Sequence, residues 1–451
     1  MTLLEEYDAA PVAARTRLVQ TWIRTDWRRF FRELRESRPV LVTPKPVLVA
    51  RHDDVVEVLS RDDVFSVRPY RSRMDPVTEG GYMLARDGAV ENWRDRGVMQ
   101  AVLSPDDLPG VRALAGRLAD AELDRAEKRG HLDAVPDLGR RVPIRVCGDY
   151  FGFPGPDEAT MARWSKATQT DMFKNPGLDP AVHAASVQAG AEMRGYLAGL
   201  VRERRRGAAG APAAGPSAAT DVLGRLLRLS LPDELGFDDG RVVTNVLGLL
   251  VGTVETTSQA VVQVLAQLLG RDEVRDAATR AASDDDPAAV EPWVWEALRH
   301  DPVNPLLPRW AEHDHVLAAG TDRETLVRGG TLVLACTASA LHDERVVPEP
   351  DAFRTDRPHP TRLHFGLGAH TCLGRHLGEQ VVPEVVRRVL RRPGVHRLPG
   401  TQGVVDFAGG PFPEHLLLGF RGPRAGRRSA QGSPDPGAVP REEVGRQRAQ
   451  S

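Results

Sequence analysis

The chain is predicted to be mainly α with a minor β region, folded as one domain around a long central helix. Three observations predict this class. Between Arg241 and Arg271 lie 29 residues with a single charge, Glu255, which suits a helix buried on all sides. Helical apolar spacing dominates from Asn92 to Arg206. Strand-like runs are short and fall only near the start and in the last third of the sequence.

The elements follow in order. Residues 11–38 carry helix-like apolar spacing and end at Pro39. Val40–Val42 and Val47–Ala50, parted by Pro44 and Pro46, read as a hairpin, and His52-Asp53-Asp54 then opens a short helix carrying Val55, Val56 and Leu59. From Val67 to Gly88 no period persists among Arg, Pro, Gly and Asp, so a long irregular connection is expected, a kind that tends to be functional inside a domain. After the helical region, residues 207–219 (Gly, Ala, Pro and Ser) read as a flexible connector. The central helix comes next, at ~1.5 Å per residue roughly 40 Å long. A helix from about Pro287 to His300, strand-like residues over Val327–Leu334 and a helix from about Leu373 to Leu390 complete the pattern. From Arg421 the sequence has seven arginines, three acids and two large aliphatics, Val439 and Val444, and cannot bury a core. The expected organisation is a domain over 1–420 and a disordered tail over 421–451, although 451 residues at ~100–200 per domain would suggest more.

Composition narrows the function. A net charge of −2 offers no global field for nucleic acid or an acidic membrane. Cys147, Cys336 and Cys372 are the only cysteines, odd in number and far apart, which excludes a disulfide framework and a paired CxxC zinc site. A reduced cytoplasmic compartment is expected, and residues 1–10 carry Glu5, Glu6 and Asp8 where a signal peptide would be basic and then apolar. The central stretch is not expected to cross a membrane. Ten of its 29 residues are Asn, Gln, Ser, Thr or Glu, five of them consecutive from Glu255 to Gln259.

The residues Phe365-Gly366-Leu367-Gly368-Ala369-His370-Thr371-Cys372-Leu373-Gly374 stand just before a helical pattern. Thiolate ligation of an iron needs a deprotonated sulfur, and free amides at a helix N-terminus stabilise that charge. Glycines let backbone approach both the sulfur and a flat cofactor face, while an aromatic ring screens the sulfur from water. All of these are present within ten residues. Cys147 and Cys336 lack such surroundings and are expected in the core.

At Phe365, Gly368, Cys372 and Gly374 the loop resembles the haem-binding pattern FxxGxxxCxG of the cytochrome P450 family. The resemblance implies a triangular P450 fold with the central helix over the haem, haem b as cofactor, and Cys372 as the iron ligand. By the same resemblance Phe365 shields the sulfur beside Gly366, and His370 reaches a haem propionate. Further motifs keep the family's order over roughly residues 15–420. Glu296-Ala297-Leu298-Arg299 matches ExxR, whose i,i+3 spacing pairs acid and guanidinium on one face, and Arg357 completes a structural trio. Arg309 and Arg96 match propionate-binding arginines, a sensible use of a bidentate group. Asn92 and Arg362 stand where bacterial members carry histidines; Arg362 can still bind a propionate, and Asn92 is a weaker, neutral donor.

Val251-Gly252-Thr253-Val254-Glu255-Thr256-Thr257 is similar to the family's oxygen-activating motif, with Thr253 in place of a glycine. Glu255 and Thr256 are therefore the expected catalytic pair for proton delivery. Gly248, Gly252, Pro305, Leu306 and Phe412 are the expected substrate-pocket residues, and Arg68, Arg71 and Arg73 raise the option of an anionic substrate group. The expected activity is a monooxygenase that inserts one oxygen atom of O₂ into a small organic, secondary-metabolite substrate. The alternatives are an oxidative coupling or ring-forming enzyme, a peroxygenase, or a haem-binding sensor without turnover. With no flavin domain in the chain, electrons are expected from NAD(P)H through a separate ferredoxin and ferredoxin reductase, delivered to a monomer.

Overall fold

A computed structural model describes residues 1–88, 90–208, 221–357 and 363–420. Arg362, the tail over 421–451 and most of the 207–219 connector lie outside the described residues.

Three N-terminal helices, α1 (Leu3–Ala9), α2 (Val12–Thr25) and α3 (Trp27–Ser37), precede the hairpin β1 (Val40–Val42) and β2 (Pro46–Val49). The single helix expected over 11–38 is thus two, parted at Asp26, where φ −150° and ψ 45° leave the helical region. The hairpin register pairs Val40 with Val49 and Leu41 with Leu48. Its inner face meets Trp22, Phe30, Phe31 and Leu34 in a buried cluster. Helix α4 (His52–Ser60) and strand β3 (Phe65–Ser66) follow.

The segment expected to be irregular contains α5 (Arg71–Thr78), with Met74, Val77 and Thr78 buried. Eight residues with Pro76 inside are too few to show a helical period, and Pro76 withholds an N–H from the ladder. Next come α6 (Val90–Val102), α7 (Leu108–Arg129), β4 (His131–Asp133), a π-helical turn Ala134–Arg140, α8 (Arg141–Asp149), α9 (Glu158–Lys174), α10 (Pro180–Ala208) and α11 (Val222–Arg228).

The central helix α12 (Asp239–Leu269) begins where the Asp238 carboxylate accepts the Arg241 N–H at 2.9 Å. By length and composition it could cross a membrane, yet 72% of its most apolar window is buried in the protein. The bulk of the helical core packs around it. Helices α13 (Asp272–Ser283) and α14 (Glu291–His300) follow, the latter preceded by a 3₁₀ turn over Pro287–Val290.

Strands β5 (Leu307–Ala311), β6 (His315–Leu317), β7 (Thr325–Val327) and β8 (Leu332–Ala335), helix α15 (Thr337–Ala340), helix α16 (Arg375–Leu390) and strands β9 (His396–Arg397) and β10 (Leu417–Gly419) complete the chain. The first sheet runs β1-β2-β8-β5-β3, a second β4-β10-β9, and a third β6-β7. The strand expected over 327–334 is therefore two strands in different sheets, parted at Gly330 with φ 82°. Strand β5 carries Arg309 opposite Val333 and points it into the interior, where it is 3% exposed.

Candidate active site

The cysteine loop is shaped by its own backbone. The Cys372 N–H donates to the Phe365 carbonyl at 2.8 Å, closing the loop on itself. Gly366 and Gly368 adopt φ of 70° and 74°, which favour glycine. A Cβ on Gly368 would stand 2.5 Å from the Leu59 carbonyl, so only glycine lets the loop rest on α4. Helix α16 starts directly after Gly374, its N-cap. Phe365 lies edge-on to Trp295 with centroids 5.7 Å apart, and Gly378 leaves room for the ring against α16.

Cys372 lies in the wall of an internal cavity of about 270 Å³. Its side chain is exposed, but to that cavity, deep inside the molecule. Burial pushes the thiol up, against the pull of the Gly374 N–H and the Arg96 guanidinium. Cys147 and Cys336 are buried at 0% exposure, outside the wall, and burial alone raises the Cys147 thiol. Of the three thiols only Cys372 has a charge nearby that favours the thiolate.

Basic side chains gather at this end of the cavity, and among the described residues only His370 has a carboxylate, Asp87, as a direct partner. Arg309 donates to its neighbour's carbonyl, Pro308 O, at 3.0 Å, and no ion pair to it is found among the described residues. Arg96 donates from Nη2 to Thr371 O at 2.5 Å, and its buried Nη1 has no partner among the described residues. His370 Nε2 lies 3.1 Å from Asp87 Oδ1, while the buried Nδ1 has no partner among the described residues. Burial depresses the pKa of both Arg96 and Arg309. Unpaired buried guanidiniums call for an anion. A thiol approached by glycine backbone and these donors together fit an iron porphyrin with a sulfur ligand and carboxylate arms.

Asp87 was not foreseen. Burial works to raise its carboxyl, but bonds from His370 and the Val67 N–H outweigh it and the net shift is downward. Asn92 differs from expectation. Its amide donates to Met83 O at 2.7 Å and Arg86 O at 3.1 Å, so both hydrogens hold the 83–86 turn and none is left for a propionate.

Helix α12 supplies one wall, with Gly248, Gly252, Thr253, Thr256 and Thr257. Thr256 Oγ1 donates to Gly252 O at 2.5 Å, and a Cβ on Gly252 would meet nothing within 4 Å. A Cβ on Gly248 would stand 2.2 Å from the Tyr82 ring, which packs there. Pro305, Leu306 and Phe412 do not line the cavity: Pro305 O accepts the Ala338 N–H, Leu306 packs on the N-terminal cluster, and Phe412 is buried under Lys174. Tyr70, Tyr82, Met172, Phe173 and Asn304 also stand in the wall.

Glu255 turns away from the cavity. It is 1% exposed and pairs with Arg140, Oε1–Nε 2.9 Å and Oε2–Nη2 3.2 Å. Arg140 also holds Glu414 at 2.8 Å, and Glu414 meets Lys166 Nζ at 2.6 Å. Burial pushes the Glu255 carboxyl up, against Arg140. Arg140, Glu414 and Lys166 could not be found by spacing, since they come from distant parts of the chain.

The trio expected to be structural is assembled. Glu296 takes two bonds of 2.8 Å from Arg299 and one of 3.2 Å from Arg357. Arg299 reaches Leu341 O at 3.1 Å and Arg357 reaches Ala352 O at 2.9 Å, tying α14 to the chain leading toward the cysteine loop.

Comparison with known proteins agrees with this geometry. The family model described as Cytochrome P450 matches residues 288–406. Nocardicin C N-oxygenase from Nocardia uniformis subsp. tsuyamanensis is 30% identical over 379 residues, 80% of this chain and 87% of that protein. Mycinamicin IV hydroxylase/epoxidase from Micromonospora griseorubida is 28% identical over 404 residues, 87% and 92% of the two chains. Among solved structures, cytochrome P450 CYP109Q5 from Chondromyces apiculatus superposes with a TM-score of 0.73 at 21% identity, over 89% of this chain and 97% of that one.

Proposed function

The chain belongs to the cytochrome P450 family and is a monooxygenase of that family, and from this premise we propose how its own residues divide the work. Cys372 would hold the iron of haem b through its sulfur, and Arg309, Arg96 and His370 would hold the propionates. The observation that carries this reading is that Cys372 opens into the cavity that Arg309 lines, with Arg96 on the neighbouring Thr371 carbonyl, and neither guanidinium has an ion pair among the described residues. Bound there, haem supplies the redox-active iron that activates O₂.

The Gly374 N–H and Arg96 favour the sulfur anion, and Phe365 excludes water from its surroundings. Thr256 gives its hydroxyl hydrogen to Gly252 O, leaving its oxygen to accept a hydrogen bond from water in the cavity. Glu255 takes up protons from solvent near the half-exposed end of the Arg140–Glu414–Lys166 network, where Lys166 is 45% exposed, while Arg140 stays protonated and holds the carboxyl without relaying a proton. Its raised pKa lets the carboxyl hold a proton, and a side-chain rotation away from Arg140 turns it toward the neighbouring Thr256. The substrate is a small organic molecule of the secondary-metabolite kind. Electrons come from NAD(P)H through a separate ferredoxin and reductase, and the enzyme, a catalytic domain over 1–420, is cytoplasmic.

The test is the ferrous–CO spectrum. The parent protein is expected to show the strongly red-shifted band of a thiolate ligand, Cys372→Ser to lose it, and Cys147→Ser and Cys336→Ser to keep it. Retention of the band in Cys372→Ser would reject the assignment.

A further inference from the structure

Helix α9 packs on α12 beside Glu255, and one group at that crossing stands out. Helix α9 carries four hydroxyls. Thr160 donates to the Asp157 carboxylate at 2.8 Å, Thr168 to Trp164 O at 2.8 Å and Thr170 to Lys166 O at 2.6 Å. The fourth, Ser165, is 0% exposed, and its Oγ has no partner among the described residues. A hydroxyl buried in this way is rare in folded proteins, because nothing returns its lost hydration.

The place of Ser165 is fixed from both sides. One turn further along α9, Gln169 donates its amide to Val251 O and reaches the cavity wall. The residue next to Ser165, Lys166, holds Glu414, and Glu414 shares Arg140 with Glu255. Val251 and Glu255 are themselves one turn apart on α12, so Ser165 lies where the acid network and the cavity come closest. Gly252, beside Val251, leaves room there, since a Cβ on it would meet nothing within 4 Å. The carboxyl of Glu255 is turned to Arg140 and stands outside the wall that Thr256 lines. The proton source and the hydroxyl that holds water are thus on different sides of the same turn.

We propose that Ser165 is a positioning residue that holds a buried water between Glu255 and the cavity, over which the carboxyl, once turned from Arg140, passes its proton to the water on Thr256. The inference rests on the functional reading of Glu255 and Thr256 above. The bridging water takes the carboxyl proton and releases one of its own on the cavity side, so it ends neutral. Ser165 keeps its own proton and fixes the oxygen in place. Buried waters make about three hydrogen bonds, and Ser165, the turned carboxyl and the cavity water supply them.

Two measurements test this. A crystal structure that resolves ordered water should show one at about 2.7–2.8 Å from Ser165 Oγ, and Ser165→Ala should lack it. The second is O₂ consumption by the haem-loaded protein with NADPH, a ferredoxin and its reductase, in H₂O and D₂O. Ser165→Ala should be roughly three- to tenfold slower, as the loss of one hydrogen bond implies, with the solvent isotope effect altered as in Glu255→Gln. Added to Glu255→Gln, the same substitution should cost nothing further, because a residue that acts through the carboxyl has no effect without it. Thr168→Val removes a buried hydroxyl that already has a partner, and it should keep the parent isotope effect. Ser165 Oγ bonded to a carbonyl with no water beside it, an unchanged rate in Ser165→Ala, or losses that add in the double variant would each overturn this inference alone. Glu255→Gln as fast as the parent would overturn the reading of Glu255 and this inference with it.

Discussion

Glu255 and Thr256 are neighbours in the chain but face different surroundings. Successive helical residues are rotated by about 100°, so Thr256 enters the cavity wall while Glu255 enters the packing against the π-helical turn. In the proposed division of work, Thr256 holds water and Glu255 resupplies protons. Thr256→Ala should keep haem content and substrate affinity while product formed per NAD(P)H falls and released hydrogen peroxide rises. Glu255→Gln should slow turnover by roughly 10²-fold with an altered solvent isotope effect, since it can still accept from Arg140 but cannot carry the proton. Tight coupling in Thr256→Ala would point to Thr253, whose side chain shares that wall, as the group that holds the water.

At the scale of elements, the position of α5, which follows directly on Tyr70 in the cavity wall, depends on how closely α10 approaches it. A Cβ on Gly190 would stand 2.6 Å from Val77 O and 2.8 Å from Val77 Cα, both backbone atoms. Arg194, one turn on, donates to Pro76 O at 3.3 Å and to Val77 O and pairs with Glu79, so α5 has little freedom to retreat. Two effects oppose each other in Gly190→Ala. Alanine gains ~1 kcal/mol of helix propensity, and the steric conflict costs about 1–3 kcal/mol. The conflict should win, lowering the denaturation midpoint. Gly195→Ala, in the same helix with nothing within 4 Å of the new methyl, should raise it. If both variants are stabilised, α5 yields to α10.

Across the whole molecule, one buried histidine joins the N-terminal helices to the core around α14. His342 Nδ1 donates to Ala338 O at 3.0 Å, and Arg28 Nη1 donates to its Nε2 at 3.3 Å. Trp27 packs against its ring, with centroids 5.3 Å apart. Both ring nitrogens are thus satisfied in the neutral form. Burial, and then the Arg299 charge, push its pKa down from 6.5 to about 2. Above pH 6.5 folded and unfolded chains both carry it neutral, and its contribution is fully present. As pH falls below 6.5 only the unfolded chain takes the proton, so stability drops by up to about 1.4 kcal/mol per pH unit. Between pH 6.5 and 5, above the carboxylate range, the fall in unfolding free energy should be smaller in His342→Gln by about 1–2 kcal/mol. An unchanged slope would assign the titration to another group.

The amino-acid sequence by itself determined the features whose physics is local. The glycine pattern around Cys372, the Glu296–Arg299 pair and the charge-poor run of α12 each depend on backbone torsions or helical spacing within a few residues. They stand in the structure as written. Only the tertiary structure decided which side chains complete the site. Arg140 meets Glu255 across 115 positions and His370 meets Asp87 across 283, while Tyr82 finds Gly248 through packing alone. Asn92 was misjudged for the same reason, because two carbonyls of a turn that no period announced took its amide hydrogens. Contacts between distant residues follow from how helices pack, and packing is a property of the whole core.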